Sequence, residues 1–187
     1  MKRLFLFSIC VVCIISCASV TRKNIIYVNL TDGAQFVLLP TEGIERDMDM
    51  VQLISAEFGD QNFFINAWVK ANQNGIDMAF FNEMGASIGE LSYRNGAARF
   101  SSTIVPMAFI RSFKPEYIIA DFQLSFYDPV LLDNSLKDGG LVLETNDGNR
   151  RILSGNEVII EIEKTDNTVK LVNHLRGYTL TLEGDFN

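Results

Sequence analysis

The sequence predicts a mainly β fold interrupted once by helices, and three observations carry that expectation. Apolar and polar residues alternate in short runs, clusters of Asn, Asp and Gly separate the runs, and the spacing turns helical only between Lys114 and Gly139-Gly140.

A first strand is expected at Ala34 to Leu39, and from Met50 onward the chain reads as strands. Phe63, Ile65, Ala67, Val69 and Ala71 alternate with Phe64, Asn66, Trp68 and Lys70, and Asn72-Gln73-Asn74-Gly75 follows with its Asn-Gly hairpin signal. Asp77 to Phe81 runs into Asn82-Glu83-Met84-Gly85, Ser87 to Tyr93 runs into Arg94-Asn95-Gly96, and a further strand covers Ala97 to Val105. Strands joined by such short turns pair as an antiparallel meander. Both faces of the 63–71 strand carry large apolar groups, so the sheet is covered on each side or curls around an interior.

At Lys114 the pattern changes. Pro115 suits a first helical turn, Glu116 complements the helix dipole, and helical spacing runs to Tyr127. Ile118, Ile119, Phe122 and Phe126 share one apolar arc, which is expected to face the sheet, while Lys114, Asp121 and Ser125 share another. Asp128-Pro129 reads as an N-cap and first-position proline, opening a second helix from Pro129 to about Lys137. Strands resume at Leu141 to Thr145, Arg151 to Ser154, Glu157 to Lys164, Thr168 to His174 and Tyr178 to Leu182. The count comes to about ten or eleven.

The N-terminus reads as a leader. Lys2 and Arg3 precede an apolar run from Leu4 to Ile15, the charge order of a secretory signal peptide. The run is shorter than the roughly 20 residues a spanning helix needs. Its end, Ile14-Ile15-Ser16-Cys17, resembles the lipobox of bacterial lipoprotein precursors. That resemblance implies a signal peptide over 1–16, a lipidated Cys17 with a short tether over 17–24, and one domain over 25–187. Ala18, with no aspartate in that position, resembles signals for the outer membrane, which places the chain at its periplasmic face.

All 3 cysteines lie in the leader region, so no disulfide framework remains, and His174 is the single histidine, which excludes a closed zinc site. No metal and no cofactor are expected. The formal charge is −7 and becomes more negative when Lys2 and Arg3 are removed, which argues against nucleic acid as a partner.

Several segments resemble a domain-of-unknown-function family of bacterial lipoproteins. They are Leu39-Pro40, Met84-Gly85 through Asn95-Gly96, Pro115 through Leu124, Arg151 and Gly177-Tyr178-Thr179-Leu180. Its members are often encoded with aryl-polyene or fatty-acid-like biosynthesis genes and are distantly similar to the LolA/LolB lipoprotein carriers. Where they tend to have a Trp-Pro pair, this chain has Phe126-Tyr127-Asp128-Pro129. The resemblance implies an incomplete, unclosed antiparallel β-barrel of about eleven strands with helices covering its concave face, in agreement with the count above.

Two constellations look chemical. Gly85-Ala86-Ser87-Ile88-Gly89 matches a nucleophile-elbow pattern, with His174 following, but that motif needs a strand-to-helix turn and here a strand continues through Tyr93. The glycines then serve a hairpin or bulge, and no enzyme is expected. Glu42, Glu45, Asp47 and Asp49 cluster around Arg46 without calcium-loop spacing and read as a solvated connection. Glu157, Glu161 and Glu163 decorate the wet side of one strand.

The 14 Phe, 5 Tyr and 1 Trp are the more informative feature. Phe64, Trp68, Phe80, Ile118, Ile119, Phe122 and Phe126 are the candidate lining of a lipid cavity, together with such aromatics as Phe63, Phe81, Phe100, Phe109 and Phe113. Alternation fits a filled interior equally well. With the resemblance, the expected function is a membrane-anchored lipoprotein that binds an acyl chain or lipidated cargo and helps to carry or seat it at the outer membrane. The alternative is a structural or interaction lipoprotein with a solid core and an envelope protein as partner.

Overall fold

The computed structural model describes residues 26–186 apart from 32, 45, 103 and 105–113. The expected leader 1–16, Cys17 and its tether, Phe109 and Phe113 lie outside the described residues.

The chain forms β1 (Tyr27–Thr31) and β2 (Ala34–Val37), a 3-10 turn at Thr41–Gly43, then β3 (Met48–Phe58), β4 (Gln61–Asn72), β5 (Gly75–Phe81), β6 (Ser87–Arg94) and β7 (Ala97–Ser101). Two helices follow, α1 (Pro115–Phe126) and α2 (Pro129–Asp138). The second strand series is β8 (Leu141–Asn146), β9 (Asn149–Ser154), β10 (Glu157–Lys164), β11 (Thr168–Asn173) and β12 (Tyr178–Glu183).

Ten strands make one antiparallel sheet in the order β7-β6-β5-β4-β3-β12-β11-β10-β9-β8, and β1 and β2 pair separately. The expectation of about eleven strands in one sheet is corrected to ten plus this hairpin. Two local meanders are therefore sewn together by one long-range pairing, β12 on β3, which sets Leu180 opposite Ala56 and Leu182 opposite Ile54. The edges β7 and β8 do not pair with each other, so the sheet is unclosed.

The sheet nevertheless curls. Strands stack about 4.8 Å apart, so six steps from β7 to β11 would span roughly 29 Å if flat. A helix is only about 10–12 Å across, yet α1 touches both β7 and β11. The ten-stranded sheet wraps around α1, while α2 packs on β8 and β2.

Turn chemistry fixes the registers. Asn95 and Gly96 take positive φ (52° and 71°) between β6 and β7, as do Asp147 and Gly148 (48° and 83°) between β8 and β9, the geometry that suits tight hairpins. Gly75 differs: it starts β5, and a Cβ there would stand 2.8 Å from the Arg94 side chain. Its role is close approach, not turn conformation.

The second helix begins as its sequence predicts. The Asp128 carboxylate accepts from the Val130 and Leu131 N–H groups at 2.7 and 3.1 Å, capping α2 behind Pro129. At its far end Gly139 lies so near β2 that a Cβ would reach the Gln35 carbonyl oxygen at 2.0 Å. The C-terminus of α1 is satisfied from the sheet: buried Arg150 on β9 donates to the Leu124 and Tyr127 carbonyls at 2.7 and 2.8 Å. These are the orphan carbonyls of a helix end, and a cation suits that pole of the dipole.

Candidate functional site

Period-two alternation decides which side chains meet α1. On β3 the inward set includes Gln52, Ile54, Ala56 and Phe58, on β4 Ile65, on β5 Met78 and Phe80, and on β12 Tyr178, Leu180 and Leu182. The registers agree, since Ile54 faces Ile65, and Ala56 faces Leu180, across their ladders. Opposite them α1 presents Tyr117, Ile118, Asp121, Phe122, Ser125 and Phe126.

These two surfaces do not close on each other. They leave a cavity of about 580 Å³ whose wall is overwhelmingly carbon, within the roughly 300–1,000 Å³ common for small-molecule pockets. Helix α1 runs along β12: Asp121 meets Tyr178 at one end, and the Phe126 ring stacks on Phe186 at 5.6 Å near the other. From Tyr178 to Leu182 the strand advances roughly 13 Å. The cavity lining therefore runs at least that far along β12. Around α2 the interior is filled, with Leu132, Leu136, Leu141 and Ile152 fully buried.

The residues expected to line a cavity divide. Phe80, Ile118, Phe122 and Phe126 line it. Ile119 is fully buried but outside the lining, on the side of α1 that bears Gln123. Phe64 and Trp68 belong to the outward phase of β4, where Phe64 is half exposed and the Trp68 indole N–H donates to the Asp49 carboxylate at 2.8 Å. Phe63, of the inward phase, stands at the rim, edge-on to Phe58 with centroids 6.2 Å apart.

One end of the cavity is polar, and sequence reasoning missed it. Asp121 and Ser125, read above as a polar arc with Lys114, are both buried, while Lys114 is exposed. The Tyr178 hydroxyl donates to Asp121 Oδ2 at 2.6 Å and accepts from the Asn173 amide at 3.2 Å. Burial pushes the Asp121 carboxyl up to about 6, opposed by the Tyr178 hydrogen bond and the Arg176 charge. The Tyr178 phenol is raised too, by burial and then by the neighbouring Asp121 charge. Arg176, in the β11–β12 connection, stacks its guanidinium 3.5 Å over the Tyr117 ring and donates through Nη2 to the Asn29 carbonyl at 2.8 Å. The available signal was an aspartate set directly between Ala120 and Phe122 on the helix.

The other constellations stay apart. Ser87 opens strand β6 and is exposed, Gly85 forms the preceding turn, and four strands separate β6 from β11, after which His174 sits 3.7 Å from Glu161. Asp49 is engaged by Trp68 and, at 3.4 Å, by Lys70, and Glu45 is outside the described residues. Among the described residues no three His, Cys, Asp or Glu side chains gather as a metal site, and no helix is long and apolar enough to cross a membrane.

No curated protein matches the chain. A family model does: the one described as "Protein of unknown function (DUF3261)" matches residues 49–184, which takes in both helices and all of the ten-stranded sheet but Met48, and the chain belongs to that family.

Proposed function

We propose that this domain binds an acyl chain or a lipidated molecule between α1 and the sheet and helps to carry or seat it at the outer membrane. In this reading the chain is tethered at the periplasmic face through a lipidated Cys17, and its open sheet is a distant counterpart of the LolA/LolB carriers. The observation that carries the reading is the cavity, long, carbon-walled and bounded on one side by a single helix. Apolar burial at about 25 cal/mol per Å² supplies the affinity. Small displacements of α1 admit and release the chain, with no cofactor or nucleotide.

The test is a chain lacking residues 1 to 17, purified without detergent. Mass spectrometry of its solvent extract should find a bound lipid, and a fluorescent fatty acid should bind saturably. Ala56→Trp places an indole in the cavity wall and should abolish saturation while the β-type circular dichroism is kept. Absence of any extracted lipid, with no saturable probe binding, overturns the reading.

A further inference from the structure

We infer that the ligand enters with a free carboxyl head, held by Asp121 and Arg176 beside Tyr178, while its chain lies along Ile118, Phe122 and Leu180 towards Phe126. The inference rests on the acyl-binding reading above and names the chemical class of its ligand.

Two unpartnered atoms motivate it. Asp121 is only 8 % exposed; Tyr178 occupies its Oδ2, and its Oδ1 has no hydrogen-bond partner. Arg176 uses Nη2 on the Asn29 carbonyl, and its buried Nη1 closes no hydrogen bond although the guanidinium lies beside the Tyr178 hydroxyl. Buried polar groups are normally paired, and each exception calls for an occupant or a purpose. Both residues belong to the wall of the same cavity, one from α1 and one from the β11–β12 connection. Stacking on Tyr117 and the bond to Asn29 hold the guanidinium plane fixed, so its remaining donor is pre-set.

The vacant pair is one acceptor and one donor. A carboxyl group supplies the complement on adjacent oxygens: its hydroxyl donates to Asp121 Oδ1 and its carbonyl accepts from Arg176 Nη1. Two carboxyls so close share one proton, and the single remaining negative charge faces the guanidinium. A methyl ester offers no donor. A phosphate would bring extra negative charge against Asp121, and a quaternary ammonium would sit against Arg176. Neither suits the pair.

The test uses the full chain in its membrane, labelled with a clickable diazirine analogue of hexadecanoic acid. Crosslinked peptides are located by mass spectrometry while hexadecanoic acid, its methyl ester and hexadecanol compete at equal chain length. The acid should compete at roughly tenfold lower concentration than the ester. Arg176→Met should bring acid and ester to within about twofold while the probe still labels the cavity wall saturably, which a collapsed fold would not allow. If acid and ester compete equally in the native chain, or hexadecanol matches the acid, the carboxyl head is overturned and the cavity reading survives. If the acid probe and an ester-headed probe both leave the cavity wall unlabelled, the acyl-binding reading falls, and this inference with it.

Discussion

The side-chain amide of Gln123 closes two hydrogen bonds on Leu39, accepting from its N–H at 2.9 Å and donating to its carbonyl at 2.7 Å. The same carbonyl accepts from the Tyr93 hydroxyl at 2.9 Å, so one point ties α1, the segment after β2 and strand β6 together. Gln123 is fully buried. Gln123→Leu keeps the bulk and leaves the Leu39 N–H without its partner, which should cost about 2–3 kcal/mol in urea unfolding. A loss under about 1 kcal/mol would show that water replaces the amide and that the clasp contributes little.

Asp121 gives the protein a pH signature. Its carboxyl titrates near 6 in the fold against 3.8 for the free group, with burial the first cause. Between those values the folded chain holds a proton that the unfolded chain has lost, so this contribution is present below about pH 4 and is lost as pH rises through about 6. The groups facing it are Tyr178 and Asn173 from the sheet and Arg176 from the turn, with Tyr117 and Lys114 one and two turns away on α1. The amplitude is on the order of 3 kcal/mol. Unfolding of the native chain and Asp121→Asn across that window should give a stability difference that shifts against the native chain as pH rises. A difference independent of pH would place the Asp121 carboxyl at its ordinary value.

Local signals were legible and long-range ones were not. Asn95-Gly96 and Asp128-Pro129 each act through their own backbone, and each is where the sequence puts it. β1 gives little warning, being five residues of mixed character that are stabilised by contacts far along the chain, such as Arg176 on the Asn29 carbonyl. The pairing of β12 with β3 depends on the curl of the whole sheet, which no window of sequence contains. The helix arc was half legible. Ile118, Phe122 and Phe126 form an i, i+4, i+8 stripe on the cavity, but α1 is buried on both sides, so Ile119 and Gln123 on another flank are as enclosed as the stripe. Polar Asp121 looked like solvent-facing surface because sequence carries no sign of the Tyr178 and Arg176 that surround it.

The remaining ambiguity was the phase of β4, and it yields the last prediction. Alternation separates Phe64 and Trp68 from Ile65, Ala67 and Val69 but does not say which set faces inward. Bulk argued for the aromatic set. The fold chooses the other, because the covered side must leave room for α1, and Ala67 and Ala71 are fully buried there. Phe64 is 50 % exposed on the outer face, whereas Phe122 is 6 % exposed, with its ring 5.0 Å from Phe126 and 6.4 Å from Tyr127. Phe64→Ser should therefore change stability by no more than about 0.5 kcal/mol, as surface substitutions usually do. Phe122→Asp removes a packed ring and buries a charge without a partner, and should cost more than about 3 kcal/mol. Thermal or urea unfolding of the two variants side by side distinguishes the phases: equal losses, or a larger loss for Phe64→Ser, would mean that the aromatic phase of β4 is the buried one.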